Sequence, residues 1–328
     1  MLRLSSWLVM LSLLFGSAAS PQEPPSFRSQ GNLVPVPTLV RDTAGNAVYG
    51  LHAEDFIIED DGVEQAVHLD EAAEAEPISL VIAVQCGRRA NREFGRMAGL
   101  AAMLDPVLSR PRNEAALLLF DSKLNLVEDF TNNGDVIETD LKNVESGDNG
   151  ATILDAVAYA AKMLGRRPEG RQRVLLLISE TRDHGSHFAK IDDAVRLVGL
   201  THTLIYALPF SPYISEQLDT LRGANKDEWG QGPDFLQMIV AVRNAMKKNS
   251  AKALASMTGG EYEQFATRKG FESDMLGFAN HLNSRYLLSF EPKNPHPGLH
   301  GVRVKLRHAN PNQTLLFRST YWVADSKR

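Results

Sequence analysis

Ile78-Ser79-Leu80-Val81-Ile82-Ala83-Val84 is the stretch whose reading decides the fold. It is apolar, rich in β-branched residues and does not alternate, which is the pattern of a strand buried on both faces. Such strands occur in parallel sheets whose two faces are covered by helices. The chain then continues Gln85-Cys86-Gly87-Arg88-Arg89. Ligands of open parallel sheets bind beyond the carboxyl ends of the strands, so this junction is the first place to look for a site.

Outward from Ile78, strands and helices alternate. Residues 114–120, 124–130, 173–178 and 203–208 read as further strands, and 262–265 as a short one. Helices are expected over 91–109, 151–164, 188–198, 235–257 and 271–282. In the first of these Met97, Leu100, Met103, Leu104 and Val107 keep helical spacing. Gly259-Gly260 ends the fourth. Residues 211–234 form a polar loop with Gly and Pro. The alternation predicts a mostly parallel sheet with helices on both faces.

The flanks read differently. Residues 33–42 alternate as a strand, and Pro35 and Pro37 suit an edge position. Phe56-Ile57-Ile58-Glu59 and residues 65–69 flank Asp60-Asp61-Gly62-Val63, a hairpin signal. Beyond the last helix come strands at 285–290, 300–306, 314–318 and 320–323. Each β piece is too small to stand alone, so the two are expected to pair as a small β-sandwich into which the α/β domain is inserted. The expected boundaries are 31–71 and 285–325 for the β part and 77–284 for the α/β part.

The chain opens Met1-Leu2-Arg3, runs apolar from Trp7 to Phe15 and continues Gly16-Ser17-Ala18-Ala19. This reads as a secretory signal peptide over 1–19, cleaved after Ala19. Residues 20–30 are a Pro-rich, disordered lead-in. No later run is long and apolar enough to suggest a membrane span. The net charge of −5 among 328 residues argues against nucleic acid as a partner. Cys86 is the only cysteine, which excludes an internal disulfide. An exported chain without disulfides points to a bacterial envelope, periplasmic or secreted.

Few residues carry readable chemistry. Cys86 at a strand end is a small, semi-buried thiol with no base placed by sequence. Asp183-His184-Gly185-Ser186-His187 has metal-ligating residue types in a spacing that matches no firm zinc pattern. Asp155, three positions after Thr152 on one helix, reads as a capping or surface carboxylate. Trp229 is an aromatic in the long loop, where binding residues concentrate. No P-loop, GxSxG, HExxH or CxxC occurs.

Five stretches, in order, resemble the von Willebrand factor A-related proteins abundant in Acidobacteria. They are Leu33-Val34-Pro35-Val36 with Val40-Arg41-Asp42; Gly50-Leu51 through Asp55-Phe56 and Glu59 to Gln65; Phe120-Asp121 with Asp129-Phe130-Thr131; Ala151 to Ala156; and Arg285-Tyr286-Leu287-Leu288 with Tyr321. The resemblance implies a Rossmann-like A domain and an adhesion or interaction role. It also implies a metal site where the family's residues survive. Thr152 survives. Gln85 stands where the family has Asp, and Gly87 and Arg89 stand where it has Ser. Glu180 replaces the usual Asp, with Asp183 close by. Mg²⁺ and Ca²⁺ prefer oxygen ligands with carboxylate charge, and the first loop offers an amide and two cations, Arg88 and Arg89.

The expectation is therefore an exported, non-catalytic interaction module with a degenerate metal site and no resident cofactor. Its partner is a protein or surface polymer of the envelope, bound through Gln85, Gly87, Arg88, Arg89, Thr152, Glu180, Asp183 and Trp229. The alternatives are a metal-dependent domain holding Mg²⁺ or Ca²⁺ through Thr152, Glu180 and Asp183, and an envelope hydrolase using Cys86 or the His184/His187 loop.

Overall fold

The computed structural model describes residues 33–70, 76–87, 90, 95, 97, 99–210, 235–308 and 310–324. The expected signal peptide and lead-in, Arg88, Arg89 and Trp229 with its loop lie outside the described residues. In chain order the elements are β1 (Val34–Arg41), β2 (Phe56–Asp60), β3 (Val63–Gln65), β4 (His68–Asp70), β5 (Ile78–Gln85), α1 (Leu100–Leu108), β6 (Glu114–Phe120), β7 (Leu124–Thr131), α2 (Gly134–Lys142), α3 (Ile153–Gly165), β8 (Gln172–Ile178), α4 (Ile191–Thr201), β9 (Leu204–Ala207), α5 (Phe235–Lys248), α6 (Ser250–Thr258), α7 (Arg268–Leu282), β10 (Tyr286–Phe290), β11 (Gly298–Leu306), β12 (Thr314–Phe317) and β13 (Thr320–Val323).

Strand β5 is buried at every position and is the middle of a five-stranded sheet ordered β7-β6-β5-β8-β9. It runs parallel to β6 and β8, and β9 is parallel to β8. Only the edge strand β7 is antiparallel. The reason β5 does not alternate is now visible. Val81 and Ala83 face a core built with α3, α4, α5 and α6, whereas Ile78, Leu80, Ile82 and Val84 face a second core with α1 and α7. Both faces of the sheet are covered, as the unbroken apolar run demands.

The remaining strands form two four-stranded sheets, ordered β12-β1-β10-β4 and β13-β11-β2-β3. Each draws strands from both ends of the chain, and the two share one core that includes Val36, Phe56, Ile58, Leu288, Phe290, Val304 and Tyr321. The α/β part is thus inserted between the halves of a β-sandwich. Residues Leu33–Arg328 form one compact unit.

Several sequence expectations need correction. Strand β1 is interior, pairing with β10 over Val34–Thr38 and with β12 over Thr38–Arg41. Its prolines fall in the first half, where only one neighbour is present, so the edge reading holds locally. Residues 65–69 are not one hairpin arm: β3 pairs with β2, but β4 crosses to the other sheet and pairs with β10. The single helix expected over 235–257 is two, because extended Asn249 caps the second through its side chain and the Lys252 N–H. Helix α2 gave too weak an apolar signal to be read, with Ile137 its only buried residue. Residues 262–265 make isolated bridges to Ala207 and Phe210 rather than a strand.

Candidate functional site

The carboxyl ends of β5, β6 and β8 meet the N-terminus of α3 at one edge of the central sheet. Gln85, the last residue of β5, is fully buried. Its Oε1 accepts the Glu180 backbone N–H at 2.8 Å. Its Nε2 donates to the Gly150 carbonyl at 3.2 Å and to Glu180 Oε1 at 3.4 Å. An amide accepts and donates at once, which an ionised carboxylate in its place cannot do. The same side chain therefore ties β5 to the loop before α3 and to the end of β8.

Gly87 follows a pinch point. A Cβ on it would lie 2.6 Å from the Asp148 carbonyl oxygen and 3.3 Å from that of Gly150. Backbone of the 147–150 loop thus fills the place of a side chain. Two carboxylates hold this loop down. Asp121 Oδ2 accepts the Asp148 N–H at 3.0 Å. Asp148 Oδ1 accepts the N–H groups of Gly150 at 2.7 Å and Ser122 at 3.1 Å, and its Oδ2 takes the Ser122 hydroxyl. The Ser122 hydroxyl bond, then the backbone N–H groups, keep the Asp148 carboxyl below its ordinary range. The Gly147 N–H closes the loop onto the Cys86 carbonyl at 2.8 Å.

Thr152 is fully buried and donates its hydroxyl to the Asp121 carbonyl at 2.9 Å. Glu180 Oε2 lies 3.0 Å from His184 Nε2. Asp183 Oδ1 accepts the Leu154 N–H at 3.0 Å and the Ser186 hydroxyl at 2.6 Å, satisfying one of the orphan donors in the first turn of α3. His184 forms a two-way backbone bridge with Ala151, at 3.0 and 3.1 Å. Gln85, Glu180, Thr152 and Asp183 are thus brought into one hydrogen-bonded network, with Asp121, Asp148, Gly150 and His184 as the joints between them and Gly87 packed against the Asp148 carbonyl. Of these joints the sequence marks His184 as a candidate ligand and Asp121 within a resembling stretch; it does not single out Asp148, although Asp148-Asn149-Gly150 is a turn signal that marks the loop.

Asp155 corrects a sequence expectation. It is only 4% exposed. Its oxygens accept the N–H groups of His187 at 2.9 Å, Phe188 at 3.0 Å and Ala189 at 2.6 Å. It is an internal clamp on the loop after β8, not a surface carboxylate. The same clamp delays α4, which starts at Ile191 rather than 188.

The reactive candidates are quiet. Burial, helped by Asp121, pushes the Cys86 thiol up to about 11, so it is uncharged at neutral pH and a poor nucleophile. His187 is exposed. Among the described residues, no trio of His, Cys, Asp or Glu ligand atoms converges at the His184/His187 loop.

A sheet ordered β7-β6-β5-β8-β9, one antiparallel edge, helices on both faces and a loop cluster beyond the central strand form the Rossmann-like arrangement that the resemblance to von Willebrand factor A-related proteins implies. No sequence-family profile and no curated protein matches the chain. Its fold is similar to the von Willebrand factor type A protein of Catenulispora acidiphila, at 8% identity over 90% of this chain and 64% of that one, with a TM-score of 0.48. It is also similar to the conserved hypothetical protein BatB of Bacteroides thetaiotaomicron, at 13% identity over 60% of this chain and 98% of that one, TM-score 0.39. A third likeness is to the vWF domain of the type V pili tip protein Mfa5 of Porphyromonas gingivalis, at 12% identity over 33% and 38% of the two chains, TM-score 0.30. The chain spans less than two thirds of the Catenulispora and Porphyromonas chains. At these identities the likeness is one of fold.

Proposed function

We propose that the chain is an exported, non-catalytic interaction module that recognises a protein or surface polymer of the bacterial envelope without Mg²⁺ or Ca²⁺. The binding surface is the rim at Glu180 and Asp183, supported from beneath by the buried Gln85, Gly87 and Thr152, together with Arg88, Arg89 and Trp229. The observation that carries this reading is the state of the oxygen donors. The Gln85 oxygen is spent on a backbone N–H, one Asp183 oxygen on the start of α3 and one Glu180 oxygen on the Gln85 amide. Hard divalent cations need several free, converging, mostly anionic oxygens, and this rim offers few. Arg88 and Arg89 supply positive charge where the family uses a metal, and a guanidinium recognises carboxylates in a fixed fork. The raised thiol of Cys86 supports the non-catalytic half of the proposal.

Calorimetric titration of the protein with Mg²⁺ and Ca²⁺, with thermal melts in parallel, tests it. No heat and no change of melting temperature are expected, because only a ligand that binds the folded state raises it. Micromolar binding lost in Thr152→Ala or Glu180→Ala would instead establish the metal-dependent alternative. In pull-downs from envelope extract, Arg88→Glu with Arg89→Glu is expected to weaken capture at least tenfold. Undiminished capture by that variant sinks the proposed surface.

A further inference from the structure

A second constellation lies in the β-sandwich, away from the rim. Asp60 ends β2, Asp61 opens the turn to β3, His300 sits within β11 and His296 lies just before it. One ligand atom each from Asp61, His296 and His300 lies within 4.8 Å of the others. His300 Nδ1 is 2.8 Å from Asp61 Oδ2 and 3.5 Å from Asp60 Oδ1, and His296 Nε2 is 3.3 Å from Asp61 Oδ2. The two imidazole rings stack with centroids 4.0 Å apart, which brings their nitrogens to the same carboxylate.

Hydrogen bonding alone leaves this cluster unfinished. His300 is fully buried and Asp60 is 4% exposed. His300 Nε2 lies 2.7 Å from the His296 carbonyl, which can only accept, so that nitrogen carries the proton. Its Nδ1 faces carboxylate oxygens. Despite the 2.8 Å approach it makes no hydrogen bond of acceptable direction, and neither does Asp60 Oδ1. A buried ring nitrogen facing a carboxylate needs a positive charge between them, which either a second proton on His300 or a metal ion supplies. Asp60 is positioned from behind, since its Oδ2 takes the Tyr321 hydroxyl at 3.0 Å. Asp61 is positioned likewise, its Oδ1 accepting the Gly301 N–H at 2.9 Å.

We propose that Asp61, His296 and His300 bind a divalent transition ion of the Zn²⁺ class. A tetrahedral ion with bonds of about 2.0–2.1 Å separates its ligand atoms by about 3.3 Å. The separations of 2.8 and 3.3 Å between Asp61 Oδ2 and the two ring nitrogens lie near that value. Two imidazoles and a carboxylate are donors that suit zinc, with the fourth position left to water. The His300 Nε2–H bond to a backbone carbonyl is the outer contact that orients a metal-bound histidine. The buried pair is fixed in place, and the 51% exposed His296 has room to turn its nitrogen onto the ion. The ion staples the β2–β3 turn to the segment entering β11. It is a structural site, independent of the rim's reading.

The test uses the full chain stripped with chelator, and Zn²⁺ and Co²⁺ as probes. One Zn²⁺ per chain and visible Co²⁺ bands of four-coordinate intensity are expected, with a higher melting temperature on Zn²⁺ addition. His296→Ala changes an exposed ring, so it should fold, and it should weaken Zn²⁺ binding at least tenfold. His184→Ala with His187→Ala should leave binding unchanged. Circular dichroism of each stripped variant separates lost binding from lost structure. Absence of Zn²⁺ binding by the stripped wild-type protein overturns the proposal, as does unaltered affinity in His296→Ala.

Discussion

At the scale of single residues, Gly87 and Gln85 show how a binding loop can be remodelled by a few atoms. The Asp148 carbonyl stands 2.6 Å from where a Gly87 Cβ would be. Restoring family-like residues is therefore not enough to restore a metal loop. The triple change Gln85→Asp, Gly87→Ser, Arg89→Ser should melt earlier than wild type, by about 1–3 kcal/mol of stability for overpacking against backbone. It should also show no rise in melting temperature with Mg²⁺. A Mg²⁺-stabilised triple variant would mean that the 147–150 loop yields easily. Gln85→Glu should be destabilising too, since it removes the donor that reaches Gly150 and sets a second carboxylate beside Glu180.

At the scale of elements, the rim is positioned by helix starts and strand ends. Asp155 sits in the first turn of α3 and takes three backbone N–H groups of the segment that leads to α4. Asp155→Ala leaves these donors bare, and the loss should be about 3 kcal/mol or more. Hydrogen exchange at 187–189 should accelerate far more than in β8. Equal acceleration in both would show global rather than local loosening. At the other end of α4, His202 closes the helix in the left-handed conformation at φ 52°. Burial first, then Arg318 and Arg173, lowers its pKa from the usual 6.5 to about 3. The native ring stays neutral where the unfolded one takes a proton. Its contribution is fully present above about pH 6.5 and erodes toward pH 3, by up to about 1.4 kcal/mol per pH unit. His202→Asn keeps a residue that tolerates left-handed backbone. Denaturant titrations from pH 7 to 4 should show a flatter decline in that variant.

At the scale of the whole molecule, the sandwich and the α/β part are joined by a buried polar network. Glu261 is 7% exposed. It meets Arg41 Nη1 of β1 at 3.1 Å, His281 Nδ1 of α7 at 2.9 Å and Arg285 Nη2 at 3.5 Å. Arg285 also donates to the Tyr206 hydroxyl of β9 at 2.9 Å. Against its burial, the His281 hydrogen bond and the Arg285 and Arg41 charges hold the Glu261 carboxyl below its ordinary range. Breaking a buried ion pair from one side costs about 3–5 kcal/mol. Glu261→Gln should lower the melting temperature by roughly 10 °C while unfolding remains a single transition. Two separate transitions in calorimetry would mean that the sandwich and the α/β part are not energetically coupled. Gly199 adds to the joint by close packing, since a Cβ there would meet that of Trp322 at 2.8 Å.

The sequence by itself determined the fold class. The unbroken apolar run of β5, the alternation after it and the two orphan β pieces leave few other ways to bury their surfaces. It also marked Gln85, Gly87, Thr152, Glu180 and Asp183, because departures at a strand end are visible as residue types. Helix ends and pairings were less legible. Asn249 divides a helix, β4 leaves its hairpin and Asp155 displaces the start of α4, each through a contact distant in sequence or a single side-chain cap. Only the tertiary structure decided which oxygens accept which hydrogen bonds. It alone joined Asp60 and Asp61 to His296 and His300, more than 230 positions away along the chain. Local patterns encode which surface must be buried; long-range pairing encodes which polar groups meet.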